Sequence, residues 1–374
     1  MHSNSIEARK RSWCELYDRQ TSRRYVFQIA VTDEAPAAPA VLPWPSLRQE
    51  RIEYSWACYE QHRERIKWLD DDSIPFMNVG TGTEIFAEAL GCSVVRPEDN
   101  LPFALPLIKS AAEVSRVKVP ELSDSSLAYL FDIADELCRR AGDDALLKIV
   151  DIQSPMDIAA LVWEKSDFMA AIIEEPEAVK ELADKAGQLL TAFLDEWFAR
   201  YGSEFISHCP CYYMPNGITL SEDEVGVVSA KVFDGLFLPE LTMLSERYGG
   251  IGIHCCADAR HQWDGFMKIP GLRLLNLVQP VDVLDEAYPF FAPYLVQYHW
   301  GYGTGRTDSC SAYAGLDPLE WLASAPPEAR VVFDLSAASR DEAVALAERM
   351  RAWAAGGDLR SASSPPRPPD RRSA

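Results

Sequence analysis

Short apolar runs alternate with amphipathic segments along most of this 374-residue chain. Apolar runs of strand length occur at 26–31, 74–79, 146–152, 251–253 and 272–278. Between them, apolar residues recur at helical spacing, as at Leu127, Leu130, Ile133 and Leu137. The pattern predicts strands joined by crossover helices, which is typical of a parallel α/β fold.

Reactive side chains follow one of these predicted strands directly. His254 and Cys256 come immediately after the apolar run 251–253 and are two residues apart. Past the end of a strand, this spacing lets an imidazole nitrogen and a thiolate reach one metal ion, and zinc accepts both ligand types. The alternative is a buried thiol pair beside a hydrogen-bonded histidine, since free cysteine packs as a small apolar residue.

Composition narrows the classes of function. The formal net charge of −21 disfavours binding to nucleic acid or to anionic membrane surfaces. No run of about 18 apolar residues exists that would cross a membrane. The nine cysteines are an odd number, and residues 1–13 lack the apolar core of a secretory signal. We therefore expect a cytoplasmic protein with reduced thiols and a small-molecule substrate.

Several segments resemble one known superfamily. The segment HCCA at 254–257 resembles the His-x-Cys-Gly segment of methylcobamide:coenzyme M methyltransferases, which belong to the uroporphyrinogen decarboxylase superfamily. The segments 84–92, 151–190 and 206–241 resemble other parts of that superfamily in the same order. The resemblance is closer to these methyltransferases than to true uroporphyrinogen decarboxylases, and it covers most of residues 50 to 354.

The resemblance, together with about eight predicted strands, implies a (β/α)8 barrel with an N-terminal helical extension. An open doubly wound sheet is the alternative, since local patterns do not exclude it. We expect the barrel to occupy residues 1–355. Residues 356–374 are rich in Pro, Ser and Arg and have no apolar period, so we expect a disordered tail there.

The resemblance also implies a zinc site. In those methyltransferases, zinc is held by a His, a Cys and a further Cys near the end of the last barrel strand, and it activates a thiol that takes a methyl group from a corrinoid. His254 and Cys256 match this motif, whereas the last strand offers Asp334 in place of a cysteine. We expect Asp334 as the third ligand, with Cys310, Cys209 and Cys211 as alternatives. A corrinoid-binding Asp-x-His-x-x-Gly motif is absent, so any corrinoid would arrive on a separate partner protein.

Other candidate site residues lie at or after predicted strand ends. Glu84 opens a helix, where a carboxylate is favoured by the helix dipole or serves as a cap. The predicted catalytic residues are Glu84, Tyr213 and His299. The predicted substrate-binding residues are Gln153, Asp157, Arg260 and Arg306.

Three functions remain at this point. The favoured one is a zinc-dependent, methyltransferase-like enzyme that activates a small thiol or similar nucleophile. The second is a decarboxylase acting on a porphyrinogen. For that function the resemblance implies an arginine-bearing motif just after the first strand, but segment 32–45 contains no Arg or Lys. The third is a protein that binds a corrinoid or a small molecule without turnover.

Overall fold

The structure, a computed structural model, describes residues 5–300, 313 and 316–354. Its strands are β1 (Tyr25–Val31), β2 (Met77–Asn78), β3 (Ser93–Val95), β4 (Phe103–Leu105), β5 (Leu147–Lys148), β6 (Phe205–Ile206), β7 (Tyr213–Met214), β8 (Ile218–Ser221), β9 (Ile251–Cys255), β10 (Leu272–Leu277), β11 (Val296–Trp300) and β12 (Arg330–Ala337). The strands predicted from apolar runs are therefore present, although β2 and β5 are shorter than predicted.

The helices alternate with these strands. They are α1 (Ile6–Tyr17), α2 (Arg48–Arg65), α3 (Ile85–Ala89), α4 (Ala128–Ala141), α5 (Pro155–Val162), α6 (Lys165–Glu174), α7 (Pro176–Tyr201), α8 (Ala230–Val232), α9 (Leu238–Tyr248), α10 (Trp263–Phe266), α11 (Val281–Phe291), α12 (Pro318–Ser324) and α13 (Arg340–Ala354). Helices α5 and α6 are separate, because the Glu164 side chain accepts the backbone N–H groups of Ser166 and Asp167 and starts α6. None of the described helices is both long enough and apolar enough to traverse a bilayer.

Eight of the strands form the predicted (β/α)8 barrel. β1, β12, β11, β10, β9 and β8 pair in that order, and β2 pairs with β5. Gln153, which follows β5, bridges in parallel to Ser221 of β8. Between β1 and β2, the Asp72 N–H donates to the Phe27 carbonyl oxygen at 2.8 Å. The carboxyl ends of the strands therefore share one face.

Two buried aspartates complete the seam between β1 and β2. Asp71 accepts the Ile29 N–H at 3.0 Å, and Asp72 accepts the Phe27 N–H at 3.1 Å. Both side chains are fully buried, and each carboxylate has an arginine partner from one end of the described chain. Arg9 of α1 lies 2.5 Å from Asp71, and Arg351 of α13 lies 2.9 Å from Asp72. The N-terminal helical extension is thereby joined to the barrel wall.

The segment between β6 and β7 and the residues next to it enter the barrel interior. Gln28 of β1 donates to the Cys211 carbonyl oxygen at 3.0 Å, and the ring of Tyr212 contacts that of Tyr298 on β11. The Tyr212 hydroxyl also occupies the space beside Gly252 of β9, where an added Cβ would lie 2.1 Å from it. Only glycine fits at this position, because the tyrosine fills the interior there.

Arg9→Met should lower the free energy of unfolding by about 3–5 kcal/mol, because it leaves the Asp71 carboxylate buried without its cation. Urea denaturation measures the effect. Arg139→Met is the control, since Arg139 pairs with Glu136 on the surface and its removal should leave stability nearly unchanged. Equal stability of the Arg9→Met variant and the wild type would contradict this account of the seam.

Candidate metal centre

The register of two neighbouring strands brings the central side chains of the site together. β8 and β9 are parallel, and Ser221 of β8 lies opposite His254 of β9. Asp223 and Cys256 lie two residues after Ser221 and His254, just past the ends of β8 and β9, at the same end of the barrel. The Cys256 N–H donates to Asp223 Oδ1 at 2.6 Å. This hydrogen bond therefore keeps the two chain segments side by side beyond the ends of β8 and β9.

Asp223, His254 and Cys256 form a group that could hold one metal ion. One ligand atom from each lies within 4.8 Å of the others. His254 is buried, Asp223 is half-buried and Cys256 is exposed. A carboxylate, an imidazole and a thiolate are all accepted by zinc, and three protein ligands with one side open are typical of a catalytic zinc site.

Asn276 fixes the orientation of the His254 ring. Its amide nitrogen donates to the Tyr298 carbonyl oxygen, so its Oδ1 faces the imidazole and lies 2.5 Å from His254 Nδ1. An amide oxygen only accepts, so Nδ1 carries the hydrogen. Nε2 is the ring nitrogen left to bind a metal ion. This arrangement is the second-shell contact that metal-binding histidines commonly make.

The neighbours of His254 raise its pKa. Burial is the largest single influence and lowers the pKa, but hydrogen bonds with Cys256 and Asn276 and the negative charge of Asp223 together outweigh it. The pocket therefore favours a positive charge at the imidazole. The negative charges of Asp223 and Cys256 would also stabilise a divalent cation bound between them and His254.

Asp151, His208 and Cys209 extend the site toward the barrel interior. Asp151 Oδ1 lies 3.7 Å from His208 Nε2, and Cys209 Sγ lies 3.8 Å from His254 Nδ1. Burial raises the pKa of Asp151 to about 6, although Lys148 and His254 act to lower it. Cys209 lies on the Nδ1 side of His254, where Asn276 also lies, and it is not part of the group of possible ligands.

Asp157 lies behind the segment that carries Asp223. Its side chain is buried, and its two oxygens accept the N–H groups of Asp223 and Glu224 at 2.9 and 3.0 Å. Glu222 is fully buried nearby, and burial followed by the negative charge of Asp157 raises the pKa of its carboxyl group well above the usual value. Asp157 was predicted to bind substrate, but its carboxylate is instead directed at the backbone of the protein.

Asp334, the third ligand predicted from the sequence, is not part of this group, whereas Asp223 belongs to it. Asp334 lies opposite Gln28 in the pairing of β12 with β1 and interacts with the Tyr298 hydroxyl. β8 is adjacent to β9, whereas β11 and β10 separate β12 from β9. The alternatives Cys209 and Cys211 are not in the group either, and Cys310 lies outside the described residues.

Two of the predicted catalytic residues occupy structural positions. His299 Nδ1 accepts the Leu277 N–H at 3.0 Å and its Nε2 lies 3.1 Å from Gln297 Oε1, so both ring nitrogens are engaged. Burial also lowers the pKa of His299 to about 3, which keeps the ring neutral. Tyr213 packs against α1, where Lys10 lies 6.0 Å from the centre of its ring. Neither arrangement supports the predicted catalytic role.

The other predicted residues remain candidates. Glu84 is buried next to β2, and burial raises its pKa to about 7. Gln153 has a buried Oε1 that lacks a hydrogen-bond partner in the described part of the chain. Arg260 is half-exposed and pairs with Glu286 at 3.4 Å. Arg306 lies outside the described residues.

Sequence reasoning missed Asp223 and Asp151, although a signal for each was present. Asp223 lies within the segment SEDE at 221–224, whose Ser-x-x-Glu spacing is typical of a capping box and not of a metal site. Asp151 stands within the strand predicted at 146–152. Asp223 would be found by asking which acids follow β8, the neighbour of β9, and Asp151 by asking which acids follow β5, whose end bridges to β8.

The chain is similar to one protein family and to solved structures of other proteins. The model of the uroporphyrinogen decarboxylase (URO-D) family matches residues 79–297. A methyltransferase from Methanosarcina mazei superposes with a TM-score of 0.62 at 12% identity, covering 93% of this chain and 99% of that one. A B12-independent methionine synthase from Shewanella sp. W3-18-1, in complex with selenomethionine, gives a TM-score of 0.48 at 12% identity, covering 89% of this chain and 98% of that one. A comparison with curated proteins found no match.

The adjacent cysteines of the site should differ in reactivity. Cys256 is exposed, whereas Cys255 is fully buried and burial raises the pKa of its thiol well above the usual value. Brief treatment of the metal-free protein with iodoacetamide should therefore modify Cys256 and spare Cys255. Peptide mapping by mass spectrometry measures both, with the exposed Cys14 as an internal reference. Equal labelling of the two neighbours would show that the end of β9 is arranged differently.

Proposed function

Because the chain belongs to the uroporphyrinogen decarboxylase family, we propose that it is a zinc-dependent, methyltransferase-like enzyme. In this proposal Asp223, His254 and Cys256 hold the zinc ion. The enzyme activates a small thiol or similar nucleophile, which accepts a methyl group from a corrinoid carried by a partner protein.

The observation that carries the proposal is the group of three possible ligands at the carboxyl end of the barrel. Its ligand atoms lie within 4.8 Å of one another, on the face where barrel enzymes build their sites. The residues fit zinc on two further grounds: the Asn276 contact leaves Nε2 of His254 for the ion, and the Cys256 N–H holds Asp223 Oδ1. Bound zinc would act as a Lewis acid that lowers the pKa of a nucleophile.

The protein groups around the triad have distinct tasks in this proposal. Asn276 holds the His254 ring in one orientation and one tautomer. Cys256 is exposed and marks the side from which the nucleophile approaches. The tyrosine-filled barrel interior closes the opposite side, because Tyr212 is almost fully buried there.

Asp151 is placed to accept the proton that the nucleophile releases. With its pKa raised only to about 6, its carboxylate is largely ionised at neutral pH. Its side chain is one-quarter exposed (25%), and it interacts electrostatically with both His254 and Asp223. In the reaction, the S–H bond of a thiol breaks and its proton passes to Asp151. The electron pair of the S–H bond stays on the sulfur, which forms the new bond to the methyl carbon. The bond between the methyl carbon and the corrinoid donor breaks at the same time, and its electron pair stays with the donor.

The structural similarity to the Methanosarcina mazei methyltransferase supports methyl transfer as the type of reaction. Decarboxylation of a porphyrinogen receives less support, because a polyanionic substrate needs free cations near the site. In the described part of the chain, Arg260 pairs with Glu286, and Arg340 stacks on Trp68 at 4.4 Å from the ring centre. Lys148 acts electrostatically on Asp151 and His208, but one cation does not match the several carboxylates of a porphyrinogen.

The proposal predicts about one zinc ion per chain in the purified protein. Asp223→Asn, His254→Ala and Cys256→Ser should each reduce the zinc content strongly, because three protein ligands are the usual number at a catalytic zinc site. Asp334→Asn is the matched control and should retain zinc. Elemental analysis after dialysis, with thermal melting to verify folding, measures the effect.

The same variants also distinguish the proposal from the prediction made on sequence alone. Loss of zinc in the Asp334→Asn variant, with zinc retained in Asp223→Asn, would restore the ligand set expected from the sequence. Wild-type protein that carries no zinc, and takes up none on addition of zinc, would contradict the proposed function itself.

A further inference from the structure

We propose that Asp157 is a positioning residue that sets the distance between Asp223 and Cys256 and thereby the affinity of the site for zinc. This inference rests on the proposed function, because it assigns a role with respect to the same metal ion. Asp157 itself does not contact the ion or the substrate in this account. It acts through the backbone of the segment that carries Asp223.

Asp157 belongs to a rigid part of the barrel. It lies in the first turn of α5, and its own N–H donates to the side chain of Ser154, the N-cap of that helix, at 3.0 Å. Its side chain is 4% exposed. The position of its carboxylate is therefore fixed by the start of α5 and by close packing.

The two oxygens of this carboxylate each accept one backbone N–H. Oδ2 accepts the N–H of Asp223 at 2.9 Å, and Oδ1 accepts that of Glu224 at 3.0 Å. Two successive N–H groups directed at one carboxylate define the path of the chain as it leaves β8. A carboxylate offers an acceptor to both, whereas an asparagine amide would present a donor to one of them.

The fixed segment then determines where the next ligand lies. Asp223 Oδ1 accepts the Cys256 N–H at 2.6 Å, so moving the Asp223 backbone also moves the residue that follows β9. The two segments also touch at Gly226, where an added Cβ would lie 2.5 Å from Ala257. A continuous set of contacts thus leads from α5 through Asp157 and Asp223 to Cys256.

The same geometry distinguishes positioning from substrate binding. Both Asp157 oxygens are already paired with backbone donors, and the side chain is almost completely shielded from solvent. A substrate would have to displace those N–H groups to reach it. The predicted effect of substitution therefore falls on the metal ion and not on recognition of the substrate.

The experiment uses the full-length Asp157→Asn variant with two measurements. Zinc affinity is determined by competition with a chromophoric chelator well below the melting temperature, and it should fall by about 10–100-fold. Hydrogen exchange of the metal-free protein should be faster in peptides covering 222–226 and 254–258. Asp317→Asn is the control for the general effect of neutralising a half-buried helix-capping aspartate, because Asp317 starts α12. Its Oδ1 accepts the N–H groups of both Leu319 and Glu320, and its Oδ2 pairs with Arg349.

A purely structural role would lower the melting temperature of both variants and leave the zinc affinity of the folded protein unchanged. Zinc affinity of Asp157→Asn equal to that of the wild type would therefore overturn the inference. Wild-type protein that binds no zinc would refute the proposed function. The positioning role of Asp157 would then be tested by hydrogen exchange of the metal-free protein alone. Unchanged exchange at 254–258 would overturn it in that case.

Discussion

The parallel pairing of β8 with β9 is the constraint on which the candidate site depends. With Ser221 opposite His254, the residues that follow each strand must leave the barrel side by side. The Cys256 N–H then binds the Asp223 carboxylate, and the imidazole of His254 completes the group. A shift of one residue in this register would direct His254 to the other side of the wall, because side chains alternate along a strand.

Charge is distributed unequally between the barrel wall and the site. At the seam of β1 and β2, Asp71 and Asp72 are each matched by an arginine, so the wall carries paired charges. At the carboxyl end, the acids near the triad are held mainly by backbone N–H groups or are shielded by burial, which raises the pKa of Asp151 and Glu222. A cation held by Asp223, His254 and Cys256 would offset part of this negative charge.

The barrel and the strand that leads into His254 and Cys256 were predictable from the sequence, because these depend on local patterns. The family pattern predicts Asp334 of the last strand as the third ligand, whereas the group formed with His254 and Cys256 in the structure contains Asp223. That difference depends on which strands are neighbours and on a contact between loops, and neither is visible in the local sequence. The same reason applies to Asp157, whose partners lie 66 and 67 residues away along the chain.

The most direct test is X-ray absorption spectroscopy at the zinc edge on the zinc-loaded protein. The account predicts a first shell with one sulfur at about 2.3 Å and nitrogen or oxygen ligands at about 2.0–2.2 Å. The sulfur contribution should vanish in the Cys256→Ser variant and persist in Cys209→Ser. A shell with two sulfur atoms, or one in which the sulfur survives the Cys256→Ser substitution, would contradict the assignment of Asp223, His254 and Cys256 as the metal ligands.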